Sequence, residues 1–145
     1  MVTRLTLANP ALDDQIPLAG IQLADAVAHT PTTDAWDRGQ QRGMQVADVS
    51  TWTRGFTILG LNLTSQIVTV TLRGCSSVLD QPYPGIPAGW EDSFDVTITI
   101  PAGGSAAQTY TPSSTGWLPR IWCQVQAAGA PAAVAGVTVL AVREQ

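Results

Sequence analysis

The stretch Ile67-Val-Thr-Val-Thr-Leu72 alternates apolar and polar residues, and Asp95-Val-Thr-Ile-Thr-Ile100 repeats the pattern further along the chain. A period of two sends alternate side chains to opposite faces of a β-strand, one buried and one exposed. Ile121–Gln126 alternates in the same way. The final run, Val134–Val142, is apolar on both faces, which is typical of a strand that is central or covered by a partner. These stretches predict a mainly antiparallel β fold.

Two further segments extend this pattern. Phe56–Thr64 is a candidate strand with leucines on one face and with Phe56 and Ile58 on the other, so we expect a β-bulge where the pattern changes at Gly60. Ala107–Thr111 is a short candidate strand. The 13 glycines and 10 prolines divide the chain into short elements with frequent turns. We therefore predict an all-β fold, an antiparallel β-sandwich or jelly roll of about seven or eight strands.

The N-terminal part of the chain follows no such rhythm. Its prolines and polar residues interrupt regular structure, so we interpret residues 1–43 as an extended N-terminal arm and residues 44–145 as the β-sandwich domain. Helical spacing in Ile21–His29 predicts one or two helical turns there. The arm carries apolar side chains that could dock on its own sheet or on a neighbouring subunit, namely Ile16, Leu18, Ile21, Leu23 and Trp36.

The composition favours permanent assembly. Only 12% of the residues are charged although 45% are hydrophobic, and the charged share is about half of that in an ordinary soluble domain. We infer that other subunits cover part of the surface; a neutral surface rich in Thr, Ser and Gln is the alternative. The predicted subunit interface places Trp122 beside Gln124 and Gln126, with Leu140 and Val142 of the last strand as the matching apolar surface.

The sequence offers little for catalysis, and we predict a protein that is not an enzyme and needs no metal or cofactor. His29 is the only histidine, and the chain contains no nucleophile elbow, phosphate loop or dinucleotide fingerprint. The two cysteines, Cys75 and Cys123, are expected to be buried, reduced thiols. Acidic residues flank a proline-rich loop, where a calcium site or a glycosidase pair is possible but solvated carboxylates are expected: Asp80, Glu91, Asp92 and Asp95.

Charge and hydropathy also restrict the partners. The net charge of −4 and the scattered arginines argue against nucleic-acid binding. No window is long and apolar enough to span a bilayer, and the first residues lack the apolar core of a signal peptide. We expect a protein that stays in the cytoplasm of the cell that makes it and binds neither nucleic acid nor a membrane.

In outline, with its arm 1–43, the strands from Met44 to Val142 and few charges, the chain resembles small bacteriophage virion proteins, particularly capsid decoration (cement) proteins. The resemblance implies a homotrimer that binds the major capsid protein and stabilises the shell by bridging capsomers, assembled into the virion in the host cytoplasm. A carbohydrate-binding or receptor-binding module of a phage fibre or spike is the alternative, with sugar stacked on Trp52, Tyr83, Trp90 or Trp117. A tail or head–tail connector subunit is a further alternative.

Overall fold

The computed structural model describes residues 14–31, 43–45, 47–75, 92–111 and 120–144. Within these ranges the chain forms eight β-strands: β1 (Gln15–Leu23), β2 (Ala47–Asp48), β3 (Phe56–Asn62), β4 (Val68–Cys75), β5 (Asp92–Ile100), β6 (Ser105–Tyr110), β7 (Arg120–Ala127) and β8 (Ala135–Arg143). The predicted all-β class is confirmed, and the predicted strands correspond to β3 through β8.

The strands form two antiparallel sheets of four strands each. The first sheet has the order β1-β8-β3-β6 and the second has the order β2-β7-β4-β5. The first strand pairs with the last, the second with the seventh, the third with the sixth and the fourth with the fifth. The last four strands thus pair with the first four in reverse order. Within the described ranges, no helix has the length and apolar content that a bilayer-spanning segment requires.

One hydrophobic cluster fills the space between the sheets. The alternation that predicted the strands supplies it, because each strand turns its apolar positions inward. The largest fully buried members are Phe56, Leu18, Leu23, Met44, Ile58, Leu72, Ile100 and Ile121. The second sheet follows the prediction closely: Val68, Val70 and Leu72 are buried in β4, and Ile121, Cys123 and Val125 are buried in β7.

The bulge predicted at Gly60 is wrong. β3 pairs with β6 and with β8 in an unbroken register, so its alternation continues through Gly60. Phe56, Ile58 and Gly60 face the core, and the leucines face away from it. A Cβ at position 60 would meet the Ile100 side chain from the opposite sheet, so glycine gives that side chain its space. The alternation of apolar and polar faces only seems to change at Gly60, because this inward position has no side chain and the Ile100 side chain fills the space.

The helical turns predicted for Ile21–His29 are also wrong, and part of the predicted arm is a strand of the domain. β1 lies beside β8 in the first sheet, from Gln15 opposite Val142 to Leu23 opposite Ala135. Hydrogen bonds to β8 satisfy the backbone N–H and C=O groups of this segment, which a helix would have satisfied within itself. Leu18, Ile21 and Leu23 are buried in the domain's own core, and Ile16 packs against it. The remainder of the arm, including Trp36, lies outside the described residues.

A buried asparagine joins two turns at one end of the sheets. The Asn62 Nδ2 group donates to the carbonyl oxygens of Gln66 (2.7 Å), Pro101 (3.1 Å) and Ile100 (3.3 Å). Its Oδ1 atom accepts from the backbone N–H (2.9 Å) and the hydroxyl (2.7 Å) of Thr64. The side chain therefore holds the β3–β4 turn against the β5–β6 turn, and it is enclosed by the fold.

Candidate interaction surface

The outer face of the first sheet is apolar at its centre. Cross-strand pairing places Leu59 of β3 beside Leu140 of β8 on one side and Ala107 of β6 on the other. Pro17 of β1 lies on the far side of Leu140. The four residues form a row across the whole sheet, because directly opposed residues of antiparallel strands project from the same face.

The next row continues this surface. Leu61 pairs with Thr138 and with Ser105. Leu59 is 39% exposed and Leu61 is 44% exposed, and Leu63 just beyond the strand is 61% exposed. The two rows enclose a shallow depression of about 600 Å³ lined by Leu59, Gly60, Leu61, Ser105, Ala106, Ala107, Thr138 and Leu140. The lining residues carry no carboxylate, imidazole, thiol or amine, so the depression offers no general acid or base and none of the side chains that usually bind metals.

The outer face of the second sheet is polar. Thr69 pairs with Thr99 of β5 and with Gln126 of β7, and Thr71 occupies the same position one row along. Hydroxyl and carboxamide groups at these positions can bond water, so this part of the face can lie in solvent. The two outer faces of the molecule therefore differ in character, although both belong to sheets of similar size.

Trp122, which the sequence predicts at a subunit interface, is buried in the structure. Trp122 lies on the same side of β7 as Gln124 and Gln126, as its register requires, but only 1% of it is exposed. A side chain this completely buried cannot supply contact area to another subunit. Gln124 is half-buried, and Gln126 is exposed with its Nε2 group donating to the Ala26 carbonyl oxygen (3.0 Å).

The other two residues of that predicted interface lie elsewhere. Leu140 and Val142 are half-buried on the outer face of the first sheet, where Val142 stands one row from Leu140. Two of the predicted interface residues thus belong to the apolar face, while Trp122 and the two glutamines lie on the second sheet. The structure does not bring the two groups together.

Of the four predicted sugar-stacking residues, the structure describes one. Trp52 is 2% exposed and packs against Phe56, with ring centroids 6.4 Å apart. Phe56 in turn stacks on Tyr110, with centroids 5.3 Å apart. Trp52 therefore completes an aromatic group at one end of the core and has no free ring face for a sugar. Tyr83, Trp90 and Trp117 lie outside the described residues.

The side chains that could take part in catalysis or metal binding occupy structural positions. His29 pairs through its backbone with Val125, and its Nε2 atom lies 3.2 Å from Asp25 Oδ1. Cys123 is a free thiol in the core, and burial raises its pKa to about 12, so it stays protonated and unreactive. No group of three or more His, Cys, Asp or Glu side chains converges on a metal position within the described ranges. Asp80 and Glu91 and the side chains of Asp92 and Asp95 lie outside the description.

Sequence reasoning missed the residues at the centre of the apolar face, namely Leu59, Leu61 and Ala107. The signal was present, because β3 is apolar on both faces in the same way as β8. Interpreting Gly60 as a bulge concealed it, since a bulge would have turned the leucines toward the core.

The chain has no match among protein-family models, curated proteins or solved structures.

Proposed function

We propose that this chain is a non-enzymatic structural protein of a virion, of the capsid decoration type, which binds the shell through the outer face of its first sheet. The observation that carries the proposal is the apolar centre of that face, formed by the exposed Leu59 and Leu61 and the half-buried Leu140. Contiguous exposed apolar surface is typical of sites that bind another protein, a membrane or a ligand, and the first of these is proposed here. Its partner in this proposal is the major capsid protein.

The strand order supports a jelly roll as the fold in this proposal. A jelly roll is a long antiparallel hairpin of eight strands wrapped into two sheets, and pairing the first strand with the last, the second with the seventh and so on is what that wrapping requires. Viral capsid and lectin domains both use this architecture. The fold therefore suits a virion protein, but it does not by itself choose between shell binding and sugar binding.

The chemistry of the apolar face favours shell binding. A sugar site needs polar groups that orient hydroxyls and an exposed ring to stack on, whereas the depression is lined by aliphatic and small side chains. Trp52, the one described member of the sugar-stacking set, is buried. Leu59 and Leu61 are 39% and 44% exposed, so covering the rest of either side chain contributes roughly 0.6–1.3 kcal/mol before ordering costs, and the leucines of one subunit provide a modest contact. Repetition over a symmetric lattice multiplies it.

The test is co-sedimentation with shells assembled from the major capsid protein encoded in the same genome. The double variant Leu59→Gln, Leu61→Gln should bind at least about tenfold more weakly, because it removes two buried leucines from the contact. Since both positions are exposed in the free chain, its melting temperature should change little.

The matched control is Thr97→Gln, Thr99→Gln, which places the same side chains two residues apart on the exposed outer face of the second sheet. It should bind shells as the unaltered chain does. Failure of the unaltered chain to sediment with shells, or equal binding by the leucine variant, would remove the proposal.

A further inference from the structure

β6 is an edge strand whose outward backbone groups can be identified residue by residue. It is the last strand of the first sheet, and among the described residues it pairs with β3 alone. The Asn62 N–H donates to the Gly104 carbonyl oxygen (2.8 Å), which fixes the phase of the ladder between the two strands. Antiparallel ladders alternate between pairs that exchange hydrogen bonds and pairs that do not. Every second residue of β3 before Asn62 therefore also bonds with β6: Gly60 bonds with Ala106, and Ile58 bonds with Gln108.

The remaining residues of β6 therefore point their backbone groups away from β3. Ser105, Ala107 and Thr109 stand at the non-bonded positions, so their N–H and C=O groups face the open side of the strand. The opposite edge of β3 provides a check: the Leu63 N–H donates to the Gly136 carbonyl oxygen (2.9 Å), which assigns the odd-numbered residues of β3 to β8. β6 thus presents a row of donors and acceptors at the rim of the apolar face.

β6 has none of the usual features that keep an edge strand from pairing. Its sequence, Ser-Ala-Ala-Gln-Thr-Tyr, contains no charged residue and no proline, and its register with β3 has no bulge. Charges, prolines and bulges are the devices by which soluble proteins prevent edge-to-edge association. Because Ala107 and Ser105 are small, a second backbone can approach along the whole strand.

We propose that β6 pairs antiparallel with β6 of a second copy of this chain, about a two-fold axis that passes midway between Ala107 and its equivalent. A two-fold axis perpendicular to a sheet turns a strand into its own antiparallel partner, so the same edge serves both copies. The pairing sets Ala107 against its equivalent and Ser105 against Thr109, which are neutral, small and able to share a hydroxyl hydrogen bond. Three outward residues per copy exchange about six backbone hydrogen bonds at the bonded pairs.

A second copy fits this edge better than an unrelated strand because the whole surface is self-complementary. The axis keeps the two first sheets in one layer, so they join into one eight-stranded sheet with both apolar faces on the same side. The two apolar faces of one dimer can then bind the same shell at once, which strengthens attachment by avidity. This last consequence rests on the proposed shell binding, but the pairing itself does not. A two-fold contact gives a dimer in place of the expected homotrimer.

The experiment is solution mass by light scattering on the full chain in the absence of shells, over a range of concentrations. The unaltered chain should reach twice its mass of 15.2 kDa. Ala107→Lys sets two like charges opposite each other on the axis and should weaken the dimer by about tenfold or more. Gln22→Lys puts the same charge on an exposed position of β1, at the far edge of the sheet, and should leave the dimer intact.

Amide hydrogen exchange gives a second measurement that does not depend on a variant. The Ala106 N–H bonds within the sheet and should be protected at every concentration, whereas the Ala107 N–H should become protected only as the dimer forms. If Ala107→Lys does not fold, Ala107→Pro removes the outward donor while leaving the bonds to β3 intact, and it should also be monomeric.

Three results would overturn the proposal. They are a monomer or a trimer across the concentration range, a dimer that survives in folded Ala107→Lys, and a dimer lost on removal of residues 1–13 while Ala107 stays unprotected. The last result would assign the contact to the N-terminal segment. Loss of shell binding with an intact dimer would count only against the proposed function.

Discussion

The two edges of the first sheet are built differently. β1 carries Pro17, and its register with β8 shifts between Pro17 and Ala19. Residues 43–45 lie along its outer side: the Gly20 N–H donates to the Gly43 carbonyl oxygen (2.8 Å), and the Gln45 Nε2 group donates to the Pro17 carbonyl oxygen (2.6 Å). β6, at the other edge, has no proline, no register shift and no such cover among the described residues.

The second sheet repeats this asymmetry. The outer side of β7 is covered by β2 and by His29, whose backbone exchanges two hydrogen bonds with Val125 (2.9 and 3.0 Å). β5 at the opposite edge pairs with β4 alone, but it contains acidic residues and the ladder shifts between Leu72 and Gly74. Within the described ranges, segments of the chain thus cover one side of the domain, and β6 is a regular, neutral edge strand. An edge left in that state is suited to association.

The largest expected effect concerns what holds β6 in place. Asn62→Ala removes the side chain that joins the β3–β4 turn to the turn leading into β6, and it leaves buried carbonyl and N–H groups unpaired. The free energy of unfolding in urea should fall by about 3 kcal/mol. Gln108→Ala, at an exposed position of β6, should change it by less than about 0.5 kcal/mol. A loss below about 1 kcal/mol for Asn62→Ala would show that the turns hold without this residue.

A smaller effect is expected from removing the cover of β1. A Cβ at position 43 would meet the Gly20 carbonyl, which is backbone and cannot move aside cheaply. Gly43→Ala should therefore lift residues 43–45 from β1, lower the free energy of unfolding by about 2 kcal/mol and speed exchange of the Gly20 amide.

Gly20→Ala is the matched control for that change, because its added Cβ has nothing within 4 Å. It should have nearly the stability of the unaltered chain. If covering an edge limits association, Gly43→Ala should also form larger species at high concentration, and Gly20→Ala should not. Equal behaviour of the two variants would mean that residues 43–45 do not protect β1.

The smallest effect concerns the segment that covers β7. The Val27 N–H donates to Asp25 Oδ1 (3.1 Å), and this bond, with the His29 side chain, holds the pKa of Asp25 below its ordinary value of 3.8. A lowered pKa means that the contribution to stability is present above about pH 3.8 and is lost as the pH falls further. Exchange of the His29 and Val125 amides, corrected for intrinsic rates, should therefore rise below about pH 3.8. The rise should be only about a few-fold, because solvent weakens the interaction of an exposed carboxylate.

The control for this pH effect is Asp25→Asn, which keeps the side-chain carbonyl and cannot titrate. Its exchange should not change with pH in that range after the same correction. An identical pH dependence in the variant would assign the effect to another carboxylate.

The strands whose inward face could be predicted are those whose two faces differ in polarity. β4, β5 and β7 alternate cleanly, and their inward residues were identified in advance. β1 was missed because Pro17 and the helical spacing after it obscure the pattern, and only the ladder to β8 makes the segment a strand. Trp122 was assigned to the wrong environment because register determines which side of the sheet it lies on, but not what covers that side. The centre of the apolar face was missed because Gly60 was interpreted as a bulge.

Local alternation of apolar and polar residues was enough to determine the all-β class, most of the strands and the inward faces of the second sheet, since these depend on the two-residue period of a strand and on the cost of exposing its apolar side. The tertiary structure alone decided that Leu59 and Leu61 face outward, that β1 is covered and that β6 is open. Those properties depend on which strands become neighbours, and that depends on contacts between residues far apart in the chain, which no local pattern records.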